Sequence, residues 1–344
     1  MRLPPYKVSL DEYRSFRRNG YVVIPGLVSA EDIQELRDHT EDLMQGRLPQ
    51  QHADTPEADR LPRPPDHLSP LEKAQLVARI HMLHRQVPLH ERFMLHPRVL
   101  DVLETLTGPD VLALQTMLFL KPPGSPGQGW HQDTFYIPTH PDTLCGAWIA
   151  IDDCDEYNGA MWMAAGSQVE PVYPPPQPQP SYGDRQLAGV PEVAGVSDTD
   201  DAKNQLSPIA NRYPQLLVPA KAGDVVFFHG HVLHRSKTNI TSDRFRRSFV
   251  SHYCNARSFT QWGAITGPNA PAQDPATLMS NSSHILARGD THLPYAQPRF
   301  GTPCAATEDQ ATRRKKHRTI PGAMGNLASG EMDLMPTEPP KDPH

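Results

Sequence analysis

Three His-x-Asp tripeptides stand in a chain that has 17 histidines: His52-Ala53-Asp54, His131-Gln132-Asp133 and His140-Pro141-Asp142. On an extended strand residues i and i+2 project to the same side, so each pair offers an imidazole and a carboxylate to one metal ion. A second histidine from a distant strand would complete a two-histidine, one-carboxylate triad. Such a triad covers one face of iron(II) and leaves positions open for a chelating co-substrate and O2. The tripeptide alone is a weak signal, since about one is expected by chance in a sequence of this composition. Context separates the three. His52 lies in a polar, proline-rich stretch, and Pro141 obstructs strand pairing in the third. Only His131-Gln132-Asp133 has strand-like neighbours, with Trp130 before it and Thr134-Phe135-Tyr136-Ile137 after it.

The richest source of a third ligand is the run from Gly223 to Ser236, which reads as a turn, an apolar strand and then His229, His231 and His234. Periodicity does not choose among the three histidines, each of which alone reads as an ordinary packed or surface residue. An anionic co-substrate also needs a fixed cation at the far end of its pocket, and a guanidinium makes a two-pronged match to a carboxylate. Arg244, Arg246 and Arg247 follow the histidines, and Arg246 shares strand parity with Ser248, Val250 and His252.

These residues need a scaffold. Ser29-Ala30-Glu31-Asp32 reads as a capping box that opens a helix carrying Ile33, Leu36 and Leu43 on one stripe and closing at Gly46. Pro97 opens a second helix with Val99, Leu103 and Leu106, stopped by Gly108. Residues 50–69 between them read as a loop. From Val111 onward short apolar runs are separated by Gly, Pro and Asp, and strands are predicted over 111–120, 134–137, 144–151, 160–164, 215–218, 225–228 and 246–254. Many short strands with few helices between them suggest a sandwich, barrel or jelly roll rather than a parallel α/β sheet. Residues 170–201, with the run Pro174-Pro175-Pro176-Gln177-Pro178-Gln179-Pro180, are too long for a hairpin turn and read either as a lid loop or as surface disorder. The domain is expected to span 1–292. Residues 293–344 read as a polar, irregular tail, and their cluster Arg313-Arg314-Lys315-Lys316-His317-Arg318 as part of that solvated tail, with a targeting or interaction signal as the alternative.

Composition removes several classes of function. A chain of 344 residues can bury a workable core. The formal net charge of −6 provides no broad basic field, which argues against nucleic acid and against a mainly electrostatic membrane binder. Cys145, Cys154, Cys254 and Cys304 have neither CxxC nor ladder spacing, so reduced thiols are expected. No apolar run approaches a membrane span and the first ten residues lack the order of a signal peptide, from which a cytoplasmic location is expected.

Over roughly residues 10–260 the chain resembles the phytanoyl-CoA dioxygenase family. The matching stretches are Arg18-Asn19-Gly20-Tyr21-Val22-Val23-Ile24-Pro25-Gly26, Thr116-Met117 through Lys121-Pro122-Pro123-Gly124, His131-Gln132-Asp133, Ala147-Trp148, Asn158-Gly159, and Gly223-Asp224 through His234-x-Ser236-x-x-Asn239 to Arg246. The resemblance implies a mainly β fold: a double-stranded β-helix, or cupin-like jelly roll, with flanking N-terminal helices. It implies iron(II) held by His131, Asp133 and His234, the His-x-Ser-x-x-Asn context selecting His234. It further implies that Arg246 and Ser236 bind the distal carboxylate of 2-oxoglutarate, with Met117, Trp148 and Arg79 lining that pocket. One extra residue between His234 and the arginine, relative to the family spacing, keeps Arg244 and Arg247 as reserves. Ala165-Gly166-Ser167-Gln168 departs from the family's Pro-Gly-Ser-His, so a substrate contact by that histidine does not carry over.

The implied reaction consumes 2-oxoglutarate and O2, releases succinate and CO2, and hydroxylates a small organic or acyl substrate. Relatives that halogenate have a small residue in place of the aspartate, so Asp133 favours hydroxylation. Two other readings compete: a non-catalytic jelly-roll protein that binds metal or ligand, and a zinc hydrolase with the same ligands. A hydrolase has no use for an anchor made of Ser236 and Arg246. Substrate identity and oligomeric state stay open at this level.

Overall fold

A computed structural model describes residues 4–49, 61–77, 79–173, 198–258, 260, 284–291 and 296. The N-terminal part is helical, and the helix ends follow local chemistry. Helix α1 (Leu10–Asn19) is opened by a reciprocal capping box between Ser9 and Glu12 and closed by Gly20, whose φ of 79° suits a residue without Cβ. In α2 (Ala30–Met44) the Ser29 side chain accepts from the Asp32 backbone N–H, which is half of the expected box. The remaining helices of this part are α3 (Pro70–Leu76), α4 (Pro88–Met94) and α5 (Pro97–Thr107), each with a proline in its first turn. Gly108 follows α5 as expected.

The strands are β1 (Tyr21–Ile24), β2 (Arg79–His81), β3 (Val111–Phe119), β4 (Gln128–His131), β5 (Cys145–Ala150), β6 (Met161–Ala164), β7 (Gln215–Val218), β8 (Val225–His229), β9 (His234–Ser236), β10 (Ser248–Asn255) and β11 (Ile285–Arg288). They form two antiparallel sheets. The larger has the order β1-β8-β5-β10-β3-β11, with β2 also on β3, and the smaller has the order β4-β9-β6-β7. This is the expected jelly-roll architecture with flanking helices.

Side-chain alternation shows how the layers stack. In β5 and β8, Ala147, Ile149, Val225 and Phe227 join a cluster with Leu36, Val99 and Leu103 of the helices. Their neighbours Trp148, Ala150, Val226 and Phe228 join Met161, Met163 and Val218 of the smaller sheet. Both faces of the larger sheet are therefore covered, which is why its strands read as unbroken apolar runs.

Three sequence expectations are corrected. Residues 134–137 do not form a strand, because the chain turns straight after β4 into the short helix α6 (Asp133–Tyr136), with the Ile137 N–H donating to the Asp133 carbonyl. The β propensity of Thr-Phe-Tyr-Ile gives way to a tertiary contact, the Thr134 N–H donating to the Gly230 carbonyl. The strand expected from 246 begins at Ser248, and β1, β2, β4, β9 and β11 were not expected. Of the loop at 50–69, residues 61–69 carry neither helix nor strand and the others fall outside the described residues. Most of the loop at 170–201 and the cluster at 313–318 also fall outside them. Ala296, within the segment read as tail, is buried beside Leu112 and Trp130. Among the described residues no helix is long and apolar enough to cross a membrane.

Candidate metal centre and the cavity beside it

Strands β4 and β9 are neighbours in the smaller sheet, and their register sets His131 directly opposite His234. The imidazole centroids lie 4.1 Å apart. The turn into α6 brings the Asp133 carboxylate back beside them. Its Oδ1 is 3.6 Å from the Nε2 of His131 and 3.6 Å from the Nε2 of His234. Ligand atoms of the three residues all lie within 4.8 Å of one another, and this is the one such group of three among the described residues.

Hydrogen bonds prepare both imidazoles for a metal. The Nδ1 of His131 is 2.8 Å from the Gly129 carbonyl, and the Nδ1 of His234 is 3.0 Å from the Val232 carbonyl. A carbonyl only accepts, so Nδ1 is the donor in each ring and Nε2 is left to face the centre. Burial, and then the neighbouring His234, push the His131 pKa down to about 3, so that ring is neutral at physiological pH. Burial acts to raise the Asp133 pKa, but His234, His252 and His131 together hold it well below the usual carboxylate range. Two imidazoles and one carboxylate on one side of a point are the donor set of a facial iron(II) site.

The other sequence candidates lie elsewhere. His52 and Asp54 fall outside the described residues. Asp142, from the third tripeptide, makes an ion pair with His231, whose Nδ1 lies 2.9 Å from the Glu170 carbonyl. His229 ends β8 in the other sheet and accepts the His231 backbone N–H at 3.1 Å. Gln132, between the two ligands of the tripeptide, donates to the carbonyls of Pro171 and His231 and accepts the Tyr173 N–H.

A cavity of about 520 Å³ opens beside the triad, and Arg79, Met117, Trp148, Ser236 and Arg246 all line it. Arg246 is 4 % exposed. Its Nε donates to the Gly159 carbonyl and its Nη1 to Ser248 Oγ, both at 3.1 Å, and its guanidinium lies 5.7 Å from the centre of the Trp148 ring. Burial pushes its pKa down to about 10. The two reserve arginines are engaged in ion pairs outside the cavity, Arg244 with Asp155 and Arg247 with Asp152 and Glu41. Gln168, where the family has histidine, instead donates to the carbonyls of Arg17 and Arg18 in α1.

Sequence reasoning missed three residues of this site. The Nε2 of His252 donates to Asp133 Oδ2 at 2.6 Å, and Gln115 Nε2 lies 2.9 Å from the other His252 nitrogen. A donor at Nδ1 leaves the ring proton on Nε2, facing the carboxylate. The parity that favoured Arg246 also applied to His252, so that signal was present. Gln115 had none, because the register between β10 and β3 skips Leu114. The bulge reverses parity, so that Leu112 and Leu114 pack on the same side toward which Gln115 and Met117 then point. The third is Lys121, which is buried and lines the cavity.

The family model described as phytanoyl-CoA dioxygenase matches residues 16–248. Peroxisomal phytanoyl-CoA dioxygenase of Bos taurus is 27% identical over 254 residues, covering 72% of this chain and 69% of the relative. The phytanoyl-CoA dioxygenase domain-containing protein 1 of Danio rerio is 27% identical over 297 residues, covering 73% of this chain and 91% of the relative. Among solved structures, the fold is similar to that of the non-heme alpha ketoglutarate dependent carbocyclase SnoK from nogalamycin biosynthesis, with a TM-score of 0.54, 21% identity, and coverage of 77% of this chain and 91% of that one. It is also similar to EctD from S. alaskensis, solved with 2-oxoglutarate and 5-hydroxyectoine, with a TM-score of 0.51, 21% identity, and coverage of 72% and 77%.

Proposed function

This chain belongs to the phytanoyl-CoA dioxygenase family, and on that premise we propose that it hydroxylates a small organic or acyl substrate with release of succinate and CO2. It is a 2-oxoglutarate-dependent dioxygenase, with iron(II), 2-oxoglutarate and O2 as the reagents of its chemistry. The observation that carries the reading is the convergence of His131, Asp133 and His234 within 4.8 Å at one side of a cavity that Arg246 also lines.

The residues fit the group they would hold. His131 and His234 would ligate through Nε2 and Asp133 through its carboxylate, with Gly129, Val232 and His252 keeping those atoms aimed. Iron(II), 2-oxoglutarate and O2, when bound, supply the oxidising power that replaces a substrate C–H by C–OH. The guanidinium of Arg246 would take the distal carboxylate of 2-oxoglutarate, with Ser236 beside it and Trp148 as an apolar wall. Met117, Phe119, Met161 and Val250 keep the cavity largely apolar, which excludes water and lets the fixed charges act at short range. Arg79 borders the same cavity and would offer a further cation to an anionic group there.

Mixing the protein with iron(II) and 2-oxoglutarate without oxygen is expected to produce the weak visible charge-transfer band of the chelate; a plain binding protein and a zinc hydrolase would give none. A succinate-release screen across acyl-CoA thioesters, amino-acid derivatives and secondary metabolites, with His131→Ala as the blank, identifies the substrate class. A cytoplasmic location belongs to the same reading. The bovine relative is named as peroxisomal, so imaging the tagged chain against a peroxisomal marker decides it.

A further inference from the structure

Four lysine or arginine side chains line the cavity: Arg79, Lys121, Arg235 and Arg246. The protein itself engages three of them. Arg246 donates to the Gly159 carbonyl and to Ser248 Oγ, Lys121 donates to Ser236 Oγ and to the Lys237 carbonyl, and Arg235 pairs with Asp201. Among the described residues, Arg79 is the one of the four with neither a hydrogen bond nor an ion pair. A lone arginine on an outer surface needs no explanation, because water satisfies it. Arg79 is placed differently. It lies on β2 opposite Phe119 of β3, and His81, two residues on, lies opposite Met117. Phe119 and Met117 both line the cavity, so β2 turns its Arg79 face toward the same space.

The two guanidiniums serve different parts of that space. Arg246 stands beside Trp148 and Lys121. Arg79 stands near Tyr136 and near enough to His131 to oppose protonation of that ring. It is also exposed, so a ligand can reach it from solvent. 2-Oxoglutarate has two carboxylates, and on the dioxygenase reading one goes to Arg246 and the other to the metal, which leaves none for Arg79. A guanidinium that neither the protein nor the co-substrate fills is a fork matched to an anion of another molecule. The other molecule that enters the cavity is the one to be oxidised.

We infer that Arg79 binds an anionic oxygen group of the substrate, a carboxylate or a phosphate, and makes the enzyme selective for such acids over their uncharged esters. The inference rests on the dioxygenase reading above, deepens it to a substrate class, and gives Arg79 to the substrate rather than to the co-substrate. An acid held there has its position fixed relative to the metal ligands, which decides the carbon that is oxidised. An ester leaves the guanidinium unfilled and is disfavoured for that reason.

The test measures dissociation constants by calorimetry on manganese(II)-loaded protein saturated with 2-oxoglutarate. The probes are straight-chain, branched and amino carboxylic acids, alkyl phosphates, and the methyl esters of the same acids. Wild-type protein is expected to bind acids or phosphates roughly tenfold or more tightly than esters, and the anion preferred identifies the source of the charge. Arg79→Gln loses no contact within the protein and is expected to melt at an unchanged temperature. It is expected to bind the preferred anion roughly 10- to 100-fold more weakly, the worth of charge-assisted hydrogen bonds, with esters and 2-oxoglutarate unchanged within about twofold. No binding of any acid or phosphate, equal binding of anions and esters, or a preference that survives in Arg79→Gln overturns the inference. So does a loss of 2-oxoglutarate affinity in that variant, which would return Arg79 to the co-substrate. Wild-type protein that does not bind 2-oxoglutarate at all overturns the dioxygenase reading instead.

Discussion

The Nε2 of His252 lies 2.6 Å from Asp133 Oδ2, so a histidine from the larger sheet holds the carboxylate that α6 presents beside the two imidazoles. The contact ties the two layers together at the site and leaves Asp133 Oδ1 as the oxygen nearer the two imidazoles. Groups that orient a ligand in this way commonly contribute 10- to 100-fold in metal affinity. His252→Ala is therefore expected to weaken iron(II) or manganese(II) binding by roughly that factor while the far-ultraviolet circular dichroism stays the same. Wild-type metal affinity in the variant would remove His252 from the centre.

The geometry separates His229, at the end of β8, from His131 and His234, whose imidazoles converge. His131→Ala and His234→Ala are each expected to abolish stoichiometric metal binding, because two remaining donors make a poor site for a divalent ion. His229→Ala, which alters the end of a strand in the other sheet, is expected to leave it intact. Equilibrium dialysis with manganese(II) reads the difference, and equal losses in all three would contradict the assigned triad.

Arg246 and Arg244 are two residues apart, yet one lines the cavity and the other pairs with Asp155 at the surface. Arg246→Lys keeps the charge but loses the fork. It is expected to raise KM for 2-oxoglutarate by about 100-fold, the upper range for a charged hydrogen-bonding pair. Arg244→Gln is expected to change it less than about twofold, since an exposed ion pair contributes little. Steady-state kinetics on both variants test the assignment.

A pH effect is expected away from the cavity. His90 is fully buried beside His39 and Phe249, and neither ring nitrogen finds a hydrogen-bond partner. Burial first, then His39 and His84, hold its pKa well below the ordinary value of 6.5. The folded protein thus binds that proton less readily than the unfolded chain. The resulting stability is complete above pH 6.5 and is lost as pH falls below it, at about 1.4 kcal/mol per pH unit for one such histidine. Urea denaturation from pH 7.5 to 5 should show this loss, and His90→Phe should flatten it. An unchanged slope in a folded variant would assign the acid sensitivity to other groups.

Much of the fold was legible from local pattern. Pro97 and Gly108 bracket α5, Ser29 caps α2, and the apolar runs at 144–151 and 225–228 became β5 and β8 of the buried sheet. Such features depend on residues within a turn or two of one another, and their chemistry is written in the order of the chain. Context singled out His131-Gln132-Asp133, and motif resemblance pointed to His234 and Arg246. Short strands such as β4 and β9 escaped notice, because three or four residues form a strand only where a distant partner supplies the ladder.

The site itself was decided by tertiary structure. Periodicity could not rank His229 against His234, since the chain leaves one sheet after the first and joins the other at the second. What sets His131 against His234 is the pairing of β4 with β9, across about a hundred residues of chain. Gln115 reaches His252 only because a bulge at Leu114 reverses the parity of β3. The sequence alone determined which faces are apolar and where helices begin and end. Register between distant strands determined which polar groups meet, because one residue of slip turns every side chain to the opposite face.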